Sequence, residues 1–380
     1  MEIGNLTCNY LKEPLGVESP HPRLSWMLRS EERAQLQTAY RILAGTDRQM
    51  LEADHADLWD TGQVASEKSI HIVYRGKFLA SRQKVFWKVR VWDQDDHASE
   101  WSDITSFEMG LLEENDWLGE WIGHPSGGTD VDRAVPAPLF RKSIEISREV
   151  SDARVYVSGL GYYELYINGA KIGDEVLAPG FTRYDRTVLY QTFNVTEALN
   201  QGQNVFGVIL GNGWYNCFTT VVWDFEKAAW RDQPKFILQA HITFADGEEQ
   251  IVVSDVDWRA AESPIVFDGL RNGEFYDARK EKRGWNQPGY DDRAWISAKI
   301  VKSPEGVRRS QQMAPIKVRQ TIRPIALVYH GFRYVEMTGF PGTPTLANLN
   351  GRVVHTDFAS MGDFVCSNDL LNWIQRAARW

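Results

Sequence analysis

The sequence predicts an all-β chain of several domains, on three observations. Apolar and polar residues alternate at period two along many short stretches, which is the mark of half-buried strands. Asn-Gly and Asp-Gly pairs join consecutive alternating runs, the strongest short-range signal of a hairpin. Helical spacing of apolar residues is absent until Ser367. A chain of 380 residues has room for two to four domains of roughly 100–150 residues each.

The first domain is expected over residues 1–112. Within 85–92, Val85, Trp87, Val89 and Val91 fall on one face of a strand. Residues 40–44 read as a second strand, and residues 93–102 are rich in turn formers. One helical turn interrupts the strands, with Thr46 and Gln49 at capping-box spacing before Met50 and Leu51. Short strands separated by turns predict a small sandwich that resembles a fibronectin type III domain.

The second domain is expected over 113–305, as a jelly-roll β-sandwich. Residues 117–122 open it, and residues 125–132 are turn chemistry. Phe140, Lys142, Ile144 and Ile146 alternate with Arg141, Ser143 and Glu145. Phe236, Leu238, Ala240, Ile242 and Phe244 share a face, and Asp246-Gly247 turns that run toward 250–253. Asn168-Gly169 sits between the runs 164–167 and 170–172 and predicts a second hairpin. Residues 306–366 read as an incomplete β domain that includes the run 332–337. Over 367–380, Ser367 is a plausible N-cap, and Leu370, Leu371, Ile374, Ala377 and Ala378 follow at helical spacing. An apolar helical face needs a partner, so this is expected to be the first helix of a further domain.

Composition narrows the function. The net charge is −9 with no basic stripe, which argues against nucleic acid. Cys8, Cys217 and Cys366 are too few and too scattered for a disulfide framework, and eight histidines lack ligand spacing. No apolar run reaches the ~18 residues of a membrane span. Met1 to Asn5 carries no basic-then-apolar leader, so the expectation is a cytoplasmic protein that does not engage a membrane. Gly211-Asn212-Gly213 lacks the third glycine of a dinucleotide fingerprint and predicts close backbone packing instead. Glu274 and Asp277, followed by Arg279, predict an ion-paired turn rather than a hydrolytic acid pair. Fifteen tryptophans supply either sandwich cores or flat faces for sugars, and the core is the commoner use.

Several stretches then carry a family resemblance. They are residues 161–174, 177–184 (Leu-Ala-Pro-Gly-Phe-Thr-Arg-Tyr), 190–196, 210–215 (Leu-Gly-Asn-Gly-Trp-Tyr), 272–279 and Gly284-Trp285. Together they resemble the N-terminal β-sandwich of bacterial α-L-rhamnosidases of glycoside hydrolase family 78. Residues 21–26 resemble that family's leader domain, and residues 330–335 and 366–371 resemble the approach to its catalytic barrel. Two departures stand out. Where the family carries a further β domain between the Pro324 and His330 regions, residues 325–328 join them directly. The family's inverting (α/α)6 barrel, which holds the paired carboxylates, would begin near Ser367.

The resemblance implies the accessory region of a glycosidase for terminal α-L-rhamnosyl linkages, which is non-catalytic alone and holds rhamnose-containing glycans near its own barrel. No catalytic residue is assigned. The alternative is a stand-alone carbohydrate-binding protein. Asp174, Pro179, Phe181, Tyr184 and Trp214 are the candidate sugar-binding residues. Some family members bind rhamnose with calcium, an ion that takes 6–8 oxygen ligands. Asp174, the Pro179 carbonyl, and Asp130 or Asp132 are the expected calcium ligands here.

Overall fold

The structure, a computed structural model, describes residues 1–127, 132–220, 223–321, 342–343, 345, 352–358, 360 and 362–378. Strands dominate, as the period-two patterning requires. The front domain pairs a small sheet (Glu2–Cys8, Arg23–Arg29, Ile72–Val73) with a larger one built around Ala39–Gly45 and Lys84–Trp92. Val85, Trp87, Val89 and Val91 are all fully buried and pack, with Ile42 and Phe107 of the same sheet, in one core with Trp26 of the small sheet. Each fully buried aliphatic side chain contributes roughly 1.5–3 kcal/mol, so this face holds the two sheets together.

The helical turn forms at Arg48–Glu52, but its N-cap is Asp47 rather than Thr46. The Asp47 carboxylate accepts the Gln49 N–H at 2.6 Å, while the Thr46 hydroxyl donates to Asp57 at 2.7 Å. Thr46 is thus already committed across the turn, and the neighbouring oxygen caps the helix.

The second domain is a two-sheet sandwich. One sheet runs, in order, Ala170–Lys171, Tyr162–Ile167, Gly202–Gly211, Pro138–Ile146, Arg259–Glu262 and Ile296–Ser297. The other is centred on Lys235–Phe244 and Val150–Leu160, flanked by Glu249–Val253 and Thr187–Asn194. Phe236, Leu238, Ala240, Ile242 and Phe244 point into the shared core with Phe140, Val155, Leu165 and Trp258. Asn168 (φ 52°) and Gly169 (φ 87°) form the two-residue hairpin with both dihedrals in the left-handed region. Asp246-Gly247 likewise turns Lys235–Phe244 into Glu249–Val253. Val307–Ser310, expected to lie beyond the second domain, instead pairs in parallel with Thr187–Tyr190 and extends its sheet. Past it, Ile316–Thr321 pairs with Arg352–Thr356. The run 332–337 and the junction 325–330 lie outside the described residues.

The terminal helix is Asp369–Ala378. Its cap is Asn368, one residue after the expected Ser367, because the Asn368 Oδ1 accepts the N–H groups of Leu370 and Leu371 at 3.0 and 3.3 Å. Leu370, Leu371, Trp373 and Ile374 are all exposed.

Candidate carbohydrate-facing site

The site is assembled on the segment that leaves Gly202–Gly211. Tyr162 pairs with Gly211, which brings the backbone of Gly161 against that of Asn212. A Cβ on Gly161 would lie 2.0 Å from the Asn212 carbonyl oxygen, so the approach requires glycine. Gly213 then takes φ 51° and redirects the chain, which places Trp214 and Tyr215 at the sandwich edge. This is the close packing expected of the glycine pair.

A buried polar chain holds that segment. Asp268 accepts the Asn212 backbone N–H at 2.7 Å and its side-chain amide at 3.1 Å. Asn212 accepts from Asn216 at 3.0 Å, and Asn216 accepts from Arg231 Nε at 3.0 Å. Burial pushes the Asp268 carboxyl up from 3.8 to about 6, opposed by hydrogen bonds from Asn212 and Gly213.

Phe181 and Tyr184 come from the loop before Thr187–Asn194 and meet Trp214 there. Ring centroids are 5.7 Å apart for Phe181 and Tyr184 and 5.8 Å for Phe181 and Trp214. Phe225 joins at 5.5 Å from both Phe181 and Trp214, and Trp223 lies 6.0 Å from Trp214. The Arg271 guanidinium sits 5.5 Å over the Trp223 ring. Tyr184 is fully buried and backs the cluster, whereas Phe181 is 42% and Trp223 66% exposed. Exposed aromatic faces beside a buried aromatic base form a platform, an arrangement that can stack the C–H face of a sugar ring.

The expected calcium ligands are placed differently. Asp174 is exposed and forms an ion pair with Lys317 Nζ at 2.9 Å, which raises the Lys317 amine above its ordinary range. Pro179 is buried in the same loop as Phe181. Asp132 accepts from Arg231 Nη1 at 2.7 Å, and Asp130 lies outside the described residues. Among the described residues, one group of three carboxylate or imidazole ligand atoms converges, Asp93, Asp95 and His97 in the front domain, and it includes neither Asp174 nor Asp132. With Asp174 and Asp132 each held by a cation, these donors do not fit a ready calcium cage as they stand.

Of the candidate sugar residues, the structure therefore brings Phe181, Tyr184 and Trp214 together and leaves Asp174 on an ion pair. Trp223, Phe225 and Trp230 were missed. Their signal is aromatic density, six rings (Trp214, Tyr215, Phe218, Trp223, Phe225 and Trp230) within residues 214–230. Asp277, by contrast, is where sequence reasoning put it. It forms a two-point ion pair with Arg279, both contacts at 2.8 Å, and caps the turn at Ala278–Lys280.

Comparisons with known proteins agree with this architecture. Residues 148–320 match the α-L-rhamnosidase N-terminal domain, and residues 3–113 match the Rha78A-like N-terminal immunoglobulin domain. The front sandwich is therefore of the immunoglobulin kind, within the same β-sandwich class as expected. An α-L-rhamnosidase of Formosa agariphila is 29% identical, over 100% of this chain and 50% of its own length. The solved structure of an α-L-rhamnosidase from Dictyoglumus thermophilum superposes with a TM-score of 0.90 at 34% identity, covering 100% of this chain and 51% of that one. The Streptomyces avermitilis α-L-rhamnosidase complexed with L-rhamnose shares the fold, with a TM-score of 0.86 at 22% identity, over 100% of this chain and 60% of that one. The chain thus spans about half the length of the relatives it matches.

Proposed function

We propose, for a chain that belongs to the α-L-rhamnosidase family through its two N-terminal β domains, that it is the substrate-holding accessory region of such an enzyme. The parent reaction is hydrolysis of terminal α-L-rhamnosyl linkages in glycosides or polysaccharides, with inversion at the sugar carbon. The observation that carries the reading is the platform of Phe181, Trp214, Trp223 and Phe225, built on the domain that matches the family. A platform of this kind raises the local concentration of substrate without doing chemistry. The partner is a rhamnose-containing glycan, and the barrel of the parent enzyme is the second partner.

The test has two arms. The purified chain is mixed with an aryl α-L-rhamnoside, and the expected outcome is no release above a buffer blank. Binding of a rhamnosyl oligosaccharide is then followed by tryptophan fluorescence in the chain and in Trp223→Ala. Weak binding that the variant loses supports the reading, and turnover or a complete lack of binding overturns it. Calcium belongs to the proposal only through Asp174, where the ion would have to displace Lys317. Affinity that is unchanged by a chelator and by Asp174→Ala removes calcium from the reading and leaves the platform.

A further inference from the structure

We infer that His241 is an acid switch for docking of the front domain: it must stay neutral for residues 116–118 to remain tied to the sandwich, and protonating it releases that tie. His241 and Gln239 lie on Lys235–Phe244, on the face opposite the shared core, and both are buried. That face is covered by the front domain and the stretch that follows it. Leu111 packs there with Tyr156 and Tyr190, and Arg82 of the front domain pairs with Glu249. Trp117 meets Tyr190 edge to face at 5.2 Å between ring centroids.

Two backbone groups fix which way the Gln239 amide faces. Its oxygen accepts the Leu118 N–H at 2.7 Å, and its NH2 donates to the Asp116 carbonyl at 2.9 Å. The second hydrogen of that NH2 is left for His241 Nε2, 3.0 Å away. An N–H needs a lone pair to meet it, so Nε2 is unprotonated and the ring proton sits on Nδ1. Nδ1–H donates to Glu249 Oε1 at 3.2 Å, and Glu249 also accepts from Arg82. One neutral tautomer therefore satisfies every partner, with Asp116 and Leu118 on one side and Arg82 on the other.

A second proton has no place in this arrangement. It would go on Nε2 and face the Gln239 NH2, donor against donor. Turning the amide over would set its NH2 against the Leu118 N–H and its oxygen against the Asp116 carbonyl. Gln239 either withdraws from both backbone groups or opposes both. The surrounding charges are divided. Glu249 favours the proton and Arg82 opposes it. Arg154, the strand partner of His241, is a second cation on that face, held by Glu108 and Asp152. The Asp116 carboxylate is occupied by Ser81 and the Glu113 N–H. Tyr156 meets the imidazole edge to face at 6.0 Å. Burial, aided by Arg82, outweighs Glu249 and holds the imidazole below its ordinary 6.5. Docking is therefore complete above 6.5 and weakens as pH falls from there toward the lowered value. Glu108 and Glu18 at the same interface are raised by burial and favour docking in acid, so the test has to isolate His241.

The 380-residue chain is labelled at its histidine nitrogens, and the His241 signals are assigned by their absence from His241→Gln. The Nδ1–H tautomer is expected at pH 7.5, with a titration midpoint below 6.5. An Nε2–H tautomer, or a midpoint at or above 6.5, overturns the inference. Hydrogen exchange at the Leu118 amide reads the tie itself. Its protection factor is expected to fall about tenfold between pH 7.5 and pH 5 in the wild type. The glutamine in His241→Gln offers an acceptor to Gln239 and a donor to Glu249 and cannot titrate, so its Leu118 protection is expected to stay constant. Wild-type protection as high at pH 5 as at pH 7.5 overturns the switch, whether or not the variant folds. A fall of equal size in both proteins assigns the effect to Glu108 or Glu18 and overturns it as well. Loss shared by the core amide of Val157 is global unfolding and also overturns it.

Discussion

Asp268 shows how one buried acid couples the site to pH. Its carboxylate is held by amide donors, but burial outweighs them and, with the nearby Glu274 charge, raises its pKa to about 6. An acid whose folded pKa lies above its unfolded value near 3.9 favours the folded state most below that unfolded value. The contribution is lost as pH rises through 6. A rise from 3.8 to about 6 corresponds to roughly 3 kcal/mol of preference for the neutral acid. Glu18 and Glu108 are raised by burial too and act in the same direction, while His124 and His241 are lowered by burial and act oppositely. The informative quantity is therefore a difference between proteins. Denaturant midpoints of the wild type and Asp268→Asn are measured at pH 5 and pH 7.5. The wild type is expected to lose more stability on going to pH 7.5 than the variant, which cannot titrate there. Equal pH responses would assign the effect elsewhere.

At the scale of elements, legibility follows physical cause. The strand carrying Val85 to Val91 could be read directly, because its alternation encodes the buried face. In Lys235–Phe244 both faces are buried, with Ile237, Gln239 and His241 opposite the alternating apolar set, so there the alternation located the strand but not its second covered face. The Asn168-Gly169 turn was legible because few residues accept its dihedrals. Caps were misplaced by one residue at both helices. The sequence offers adjacent oxygens, Thr46 with Asp47 and Ser367 with Asn368, and tertiary contacts or local geometry choose between them. The Asp268–Asn212–Asn216–Arg231 chain was illegible because its buried acid, Asp268, meets Asn212 across 56 positions. Two predictions belong here. Gly169→Ala puts a Cβ at φ 87° and 2.9 Å from Gln287 Cγ, and is expected to cost about 1 kcal/mol in a urea melt. The helix Asp369–Ala378 exposes Leu370, Leu371, Trp373 and Ile374, and a ten-residue helix is marginal alone. Its amides are expected to exchange within the earliest time points of a hydrogen-exchange experiment. Protection comparable to that of Val150–Leu160 would contradict this.

At the scale of the molecule, the front domain is latched to the sheet that feeds the platform. Arg154, in Val150–Leu160, donates to Glu108 of the front domain at 2.9 Å, and both side chains are 6% exposed. The Leu111 N–H donates to Tyr190 Oη at 3.0 Å, and the Gln312 amide donates to the Gly16 carbonyl at 3.0 Å. Tyr190 lies on Thr187–Asn194, the strand entered from the Phe181–Tyr184 loop, so docking the front domain also fixes where the platform starts. A buried pair contributes little net stability compared with apolar packing, yet removing one partner strands the other charge, at roughly 3–5 kcal/mol. Burial already pushes the Glu108 carboxyl upward despite Arg154, which is the cost that an unpaired acid would meet in full. Arg154→Ala is therefore expected to lower the calorimetric melting temperature and to split one transition into two, as the domains lose their coupling. The double variant Arg154→Met with Glu108→Leu is expected to restore most of the stability, since no buried charge remains. A pair of this burial is poorly screened, so the wild-type coupling should persist in high salt, whereas the exposed Arg148–Asp246 pair should not matter in either condition. If Arg154→Ala melts in one unshifted transition, the domains are joined by their apolar contacts and the latch carries no coupling.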